Sequence, residues 1–205
     1  MASQPPTLLY LHGFNSSPAS KKAQQLIRAC ERLGIADQLR APALRHHPRD
    51  AMHQCEQAIT ELGAPLLIGS SLGGFYATYL TARHGLKALL INPAVRPHAL
   101  FDGNLGPQQN LYSGEIWQLT LDHIHALAEL EVSPPTDPQR FQIWLQTGDE
   151  TLDYRQAEDY YRACALRIQP GGDHSYQGFA QQLPALLAFA GFAPHLWRDH
   201  DFSDL

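Results

Sequence analysis

Pro65-Leu66-Leu67-Ile68-Gly69-Ser70-Ser71-Leu72-Gly73-Gly74 is the stretch that decides the fold. A short apolar run bounded by breakers reads as a buried parallel strand. The segment Leu72–His84 that follows, closed by Gly85, reads as a helix. At their junction Gly69, Ser71 and Gly73 spell Gly-x-Ser-x-Gly. With Gly and Ser each at ~7% of residues, three such positions match by chance in roughly 7% of chains this long. The weight therefore lies in the strand-to-helix context. A sharp turn with closely approaching backbone needs glycine on both sides. It lifts the Ser71 hydroxyl above the sheet edge and aims the first N–H groups of the helix at the same place. The competing reading is a turn that merely packs or binds a phosphate. No lysine follows the glycines, which excludes a Walker-type loop. Ser70 competes as the nucleophile, but Gly69 and Gly73 flank Ser71 symmetrically.

Outward from this junction the same alternation recurs. Upstream, Thr7–Leu11 is a strand, Ser16–Leu33 a helix opening with Pro18 and ended by Gly34, Gln38–Leu44 a weak strand, and Asp50–Leu62 a helix. Downstream, Leu86–Ile91, Arg140–Thr147 and Ala165–Gln169 read as strands, with helices over Tyr154–Cys164 and Tyr176–Phe189. Six short apolar strands alternating with helices predict an open, mostly parallel sheet with helices on both faces. The interval 93–139 is too long for one crossover and is expected to form a small helical cap over the carboxyl edge of the sheet.

A serine hydroxyl needs a base, and the base an orienting acid. On a sheet of this kind the acid follows a late strand and the histidine follows the last one. Asp149, in Thr147-Gly148-Asp149-Glu150, sits at the carboxyl end of a strand, where such sites assemble. Asp153 is the alternative acid, although it also looks like a helix N-cap. His174, at the tip of Pro170-Gly171-Gly172-Asp173-His174, is the base in the expected order. The loop after the first strand, His12-Gly13-Phe14, is placed to offer the Phe14 N–H as a second oxyanion donor beside that of Leu72, with His12 bracing it.

Composition sets the outer limits. The chain has 205 residues, is 44% hydrophobic and 17% charged, and carries a net charge of −5. That length predicts one domain over 1–205, with 193–205 as a flexible tail. No basic face is implied, so no nucleic-acid partner is expected. No apolar run is long enough to span a membrane. Met1–Pro6 lacks the pattern of a secretory leader. Cys30, Cys55 and Cys164 are odd in number and widely spaced, which predicts neither a disulfide framework nor a zinc knuckle and favours a reducing cytoplasm. Eleven histidines stand out, but His46-His47 and His123-x-His125 lack the spacing that places two ligands on one helix face. No metal and no cofactor are expected.

Beyond these elements, longer stretches carry a resemblance. Leu9-Tyr10-Leu11-His12-Gly13-Phe14-Asn15-Ser16-Ser17-Pro18 resembles the opening of YqiA-like bacterial esterases, a small α/β-hydrolase family. Gly69–Thr78, Ile91-Asn92-Pro93-Ala94-Val95-Arg96-Pro97, Gln146–Glu150 with Leu152–Ala157, and Gly171–His174 are similar to it as well. The likeness runs from about Thr7 to Phe189. It implies an α/β-hydrolase fold, esterase activity on short acyl chains, and a triad of Ser71, Asp149 and His174. In that setting His12, Arg96 and Asp153 are candidate substrate or cap contacts. For Arg96 the choice is between an anionic substrate group and a structural ion pair.

The sequence thus leads to an expected serine esterase acting on a small-molecule ester through an acyl-enzyme. The alternatives are a thioesterase or other small-acyl hydrolase, and a non-catalytic binding protein on the same scaffold. Nothing in the sequence fixes the oligomeric state.

Overall fold

The computed structural model describes residues 5–101 and 103–205. Residues 1–4, which carry most of the N-terminal leader reading, and Asp102 within the insert lie outside the described residues. In chain order the strands are β1 (Leu8–Leu11), β2 (Leu39–Arg40), β3 (Leu66–Ser70), β4 (Lys87–Ile91), β5 (Gly106–Gln109), β6 (Ile116–Leu119), β7 (Phe141–Gln146) and β8 (Ala165–Gln169). The helices are α1 (Lys21–Arg32), α2 (Pro48–Leu62), α3 (Leu72–His84), α4 (Pro97–Leu100), α5 (Leu121–Glu129), α6 (Tyr154–Tyr160) and α7 (Leu183–Ala190). Six strands form one parallel sheet in the order β2-β1-β3-β4-β7-β8.

Side-chain alternation along each strand divides the core between two faces. Leu9 and Leu11 of β1 join Leu67, Leu90 and Ile143 beneath α2 and α3. Leu8 and Tyr10 point the other way and pack with Ile68, Leu89 and Trp144 against α1 and α7. Both faces are covered, so β1, β3 and β4 are almost continuously apolar, as a buried parallel sheet requires. The strand order reverses between β1 and β3. Ligands of open α/β sheets collect at such a switch point, outside the carboxyl ends of the strands. The loops carrying Phe14 and Ser71 leave the sheet there.

Several boundaries differ from the sequence reading. The strand expected over Gln38–Leu44 shrinks to Leu39–Arg40 at the sheet edge. Pro42 has no N–H for a ladder, so pairing stops just before it. The last helix begins at Leu183 rather than Tyr176, because Tyr176 and Gly178 both take positive φ.

The insert over 93–139 is only partly helical. Alongside α4 and α5 it holds an antiparallel hairpin, β5–β6, with Gly106 opposite Leu119 and Gln109 opposite Ile116. A short apolar run such as Ile116–Leu121 does not distinguish strand from helix by its spacing. The turn is built by Asn110, whose Oδ1 accepts from the N–H groups of Tyr112 and Ser113. The hairpin is fastened to the loop after β1. Trp117 Nε1 donates to Asn15 Oδ1 at 2.8 Å, the Leu111 N–H donates to the Asn15 carbonyl at 2.8 Å, and Asn110 Nδ2 donates to the Ser16 carbonyl at 2.8 Å.

Residues 193–205, expected as a flexible tail, instead lie against α1. Phe202 is 2% exposed in the core beneath α1 and α7. Arg32 makes a two-pronged contact with the Asp204 carboxylate, and Gln25 donates to the Leu205 carbonyl. A tail looks disordered by composition, but a buried aromatic together with these polar contacts docks it.

Candidate active site

Ser71 stands at the tip of the β3-to-α3 turn with φ 55° and ψ −120°. A non-glycine residue in that region is strained and persists only where its surroundings force it. The forcing comes from close backbone approach. A Cβ on Gly69 would lie 2.4 Å from the Gly73 carbonyl oxygen, and one on Gly73 would lie 2.0 Å from the Leu11 carbonyl oxygen. Ser71 is the N-cap of α3, yet its side chain makes no capping bond. Its hydroxyl is therefore left for another partner. Ser70 is buried, its hydroxyl against the Tyr10 phenol.

That partner is His174. Its Nδ1–H donates to both oxygens of Asp149, at 2.9 and 2.8 Å. In the neutral ring this leaves Nε2 as the acceptor, and Nε2 lies 3.0 Å from Ser71 Oγ. The Asp149 side chain is 2% exposed. Asp149 Oδ1 also accepts from the Thr151 and Leu152 N–H groups, which fix its rotamer.

Three residues outside the expected triad hold the His174 loop. Asn92, at the end of β4 with φ 41°, donates from Nδ2 to the Asp173 and His174 carbonyls and accepts the Gln146 N–H on Oδ1. Gln146, at the end of β7, accepts from the Asp173 and Gln177 N–H groups. Glu150 accepts from the His174 N–H at 3.0 Å. The polar pair Asn92-Pro93 directly after an apolar strand was the available signal for the first. Asn92→Ala would release the loop from β4. We expect it to lower kcat by about tenfold to a hundredfold with little change in KM, since misplacing a base by about 1 Å costs on that scale. Steady-state kinetics on one ester checks this, and an unchanged kcat would refute it.

The backbone N–H groups of Phe14 and Leu72 have no hydrogen-bond partner among the described residues, and both residues line the cavity that holds Ser71. Gly13 allows the approach of this loop, since a Cβ there would lie 3.2 Å from Ser71 Cβ. His12 braces the loop from beneath. Its Nε2 accepts the Leu44 N–H at 3.0 Å, which makes Nδ1 the protonated nitrogen, donating to the Gly13 carbonyl. Burial lowers its pKa below the usual imidazole value, in keeping with a neutral structural ring. His12 is therefore held as a brace and does not line the cavity over Ser71.

The other two candidate contacts also lie off the cavity, and for Arg96 the structure shows the ion pair. Arg96 pairs with Glu131 at 3.2 Å on the surface and does not line the cavity. Asp153 caps α6 through the Arg155 N–H and is not beside His174. Local capping satisfies Asp153, which leaves Asp149 to meet the histidine. Of the remaining histidines, His46 stacks on Trp117, His47 pairs with Asp122, and His123 completes the capping box of α5 with Thr120.

The cavity over Ser71 has a volume of about 640 Å³, within the range of small-molecule sites. Phe14, Leu100, Phe101 and Leu152 give it apolar walls. The parallel sheet with its strained serine turn after β3 and histidine loop after β8 defines an α/β-hydrolase fold. Est1E from Butyrivibrio proteoclasticus is similar with a TM-score of 0.68 at 15% identity, covering 95% of this chain and 89% of that one. The esterase domain of a Rhodothermus marinus protein is similar with a TM-score of 0.63 at 15% identity, covering 92% of this chain and 88% of that one.

Within that fold, the chain belongs to the uncharacterised protein family UPF0227, whose model matches residues 7–191. A UPF0227 protein of Shewanella woodyi is 28% identical over 193 residues, covering 89% of this chain and 98% of the relative. The family match spans the stretch whose motifs carry the YqiA-like resemblance.

Proposed function

We propose that this protein is a serine hydrolase that cleaves carboxylic esters of small molecules. The observation that carries the reading is the 3.0 Å contact of Ser71 Oγ with His174 Nε2 on a strained turn, with Asp149 behind the imidazole. Ser71 Oγ attacks the ester carbonyl as His174 Nε2 takes its proton. The buried Asp149 carboxylate holds the tautomer and stabilises the imidazolium. The Phe14 and Leu72 N–H groups, free of other partners among the described residues, bind the oxyanion. His174 then gives its proton to the leaving alcohol, which departs and leaves an acyl group on Ser71. Water enters, His174 takes one of its protons, and the acid is released as Ser71 is re-formed.

A non-catalytic scaffold would have little reason to retain strain at Ser71 under an open cavity. The esterase among the similar folds supports the hydrolase reading at the level of architecture. A fluorophosphonate probe tests it directly. The probe should label one serine, mapped to the peptide holding Ser71, and abolish p-nitrophenyl butyrate turnover in step with labelling. Intact protein that neither labels nor turns over esters would overturn the assignment.

A further inference from the structure

The cavity over Ser71 has a charged end that the steps above do not use. Besides its apolar walls it is lined by Lys21 and Lys22. The chain contains three lysines, Lys21, Lys22 and Lys87, so two of the three stand at this one place in a protein of net negative charge. They occupy the first two positions of α1, and the first turn of that helix holds no acidic residue. Cations at a helix N-terminus are opposed by the helix dipole, which favours carboxylates there. Helix stability therefore does not account for this pair.

Lys22 is the inner of the two. Its Nζ donates to the Ser175 carbonyl at 2.8 Å, one residue beyond His174. An ammonium has three donors, and that carbonyl is its one hydrogen-bond partner among the described residues. Burial pushes its pKa down to about 8, against the more distant pull of Asp173 and Asp149. Asp149 is taken up by His174, and Asp173 accepts from Gln177. A partly desolvated cation with spare donors thus stands beside the triad with no carboxylate in contact. Its spare donors face the cavity side of α1, where an anionic group could reach them.

We propose that the ester substrate carries a compact oxyanion, a carboxylate or phosphate, which pairs with Lys22 while the ester carbonyl lies at Ser71. Lys21 adds attraction from the rim, and the apolar wall receives the carbon chain between the two groups. This proposal rests on the hydrolase reading of the same site. It moves anion recognition from Arg96, which already has Glu131, to the start of α1.

The test compares wild type, Lys22→Met and Lys22→Arg on three esters. Monoethyl glutarate carries its anion on the acyl side, the butyryl ester of glycerol phosphate carries it on the alcohol side, and ethyl pentanoate is neutral. Wild type should favour one of the anionic esters over ethyl pentanoate by about tenfold or more in kcat/KM, and the favoured ester identifies the side and kind of anion. Lys22→Met should reduce that ratio by about tenfold, chiefly through KM, whereas Lys22→Arg should keep most of it, and high salt should shrink it.

If Lys22 only supports the histidine loop, Lys22→Met lowers all three esters alike and the ratio stays constant. That result, or a wild type that prefers ethyl pentanoate to both anionic esters, overturns the proposal. Loss of all ester turnover in wild type would instead count against the hydrolase reading. The anion site is then read by calorimetric binding of glutarate and glycerol phosphate to Ser71→Ala protein with and without Lys22→Met. Binding weakened about tenfold by the lysine change supports the site, and equal or absent binding overturns it.

Discussion

Ser71→Ala should reduce ester turnover by roughly 10⁵-fold or more, to near the background rate. Removing the nucleophile of a triad leaves only what an oxyanion hole and binding contribute. The fold should survive, because the Ser71 hydroxyl makes no capping bond and its hydrogen bond is to His174. What holds the turn is backbone. The Ser71 N–H donates to the Ile91 carbonyl, and the Ser71 carbonyl accepts from Gly74 and Ala94. The variant should therefore show an unchanged circular dichroism spectrum and unchanged thermal unfolding while turning over no p-nitrophenyl butyrate. It should also resist the fluorophosphonate. Retained turnover at even a hundredth of the wild-type rate would show that another group does the chemistry. Ser70 is the alternative at hand, but it is buried against Tyr10.

Gly73→Ala should act on stability instead. The added Cβ would fall 2.0 Å from the Leu11 carbonyl oxygen and 2.7 Å from that of His12. Neither is a flexible side chain that can swing aside. β1 is pinned between β2 and β3, so relief requires α3 to lift from the sheet or the serine turn to change conformation. Overpacking of side chains costs about 1–3 kcal/mol. A clash with fixed backbone in the buried centre of the sheet belongs at or above the top of that range, about 3 kcal/mol or more. For a chain of this size that lowers Tm by roughly 6–12 °C. Activity should fall as well, because the displaced helix carries the Leu72 N–H. A thermal melt within a degree or two of wild type would show that the turn is more pliable than its packing implies.

The chain order and the punctuation of the sequence made the meeting of Ser71, Asp149 and His174 legible. Each stands just past an apolar strand, and a parallel sheet delivers the carboxyl ends of all its strands to one edge. The glycines around Ser71 were readable for the same reason, since a sharp strand-to-helix turn tolerates little else. Asn92, Gln146 and Glu150 were not legible. Their work depends on which strand ends become neighbours, and β4 beside β7 is a fact of topology rather than of local pattern. Lys22 was missed for a related reason. It looks like an ordinary exposed helix residue until α1 is seen to start at the cavity wall.

For Arg96 the choice between an anionic substrate group and a structural ion pair stayed open in the sequence, because nothing there shows that Glu131 lies within reach of it. The β5–β6 hairpin escaped because four-residue strands with mixed burial carry almost no periodic signal. The docking of 193–205 escaped because Phe202, Asp204 and Leu205 find their partners in and beneath α1, far away in the chain. In each case the missing information was long-range contact, which residue spacing does not encode.

The ties between the hairpin and Asn15 also limit how this protein can diverge. Asn15 is the residue after Phe14, and four hydrogen bonds join the insert to it and to Ser16. The segment that walls the cavity is thus anchored to the loop that carries the Phe14 N–H, the proposed oxyanion donor. A relative could not acquire a new insert as an independent module, because replacing 93–139 would also reset the position of the Phe14 N–H. Chimeras that exchange this segment between family members should shift substrate preference and turnover number together, and compensating changes should gather at Asn15 and Ser16. Redesign of selectivity would do better to alter Leu100, which lines the wall, than Phe101, whose ring packs on that of Phe14 at 4.5 Å between centroids.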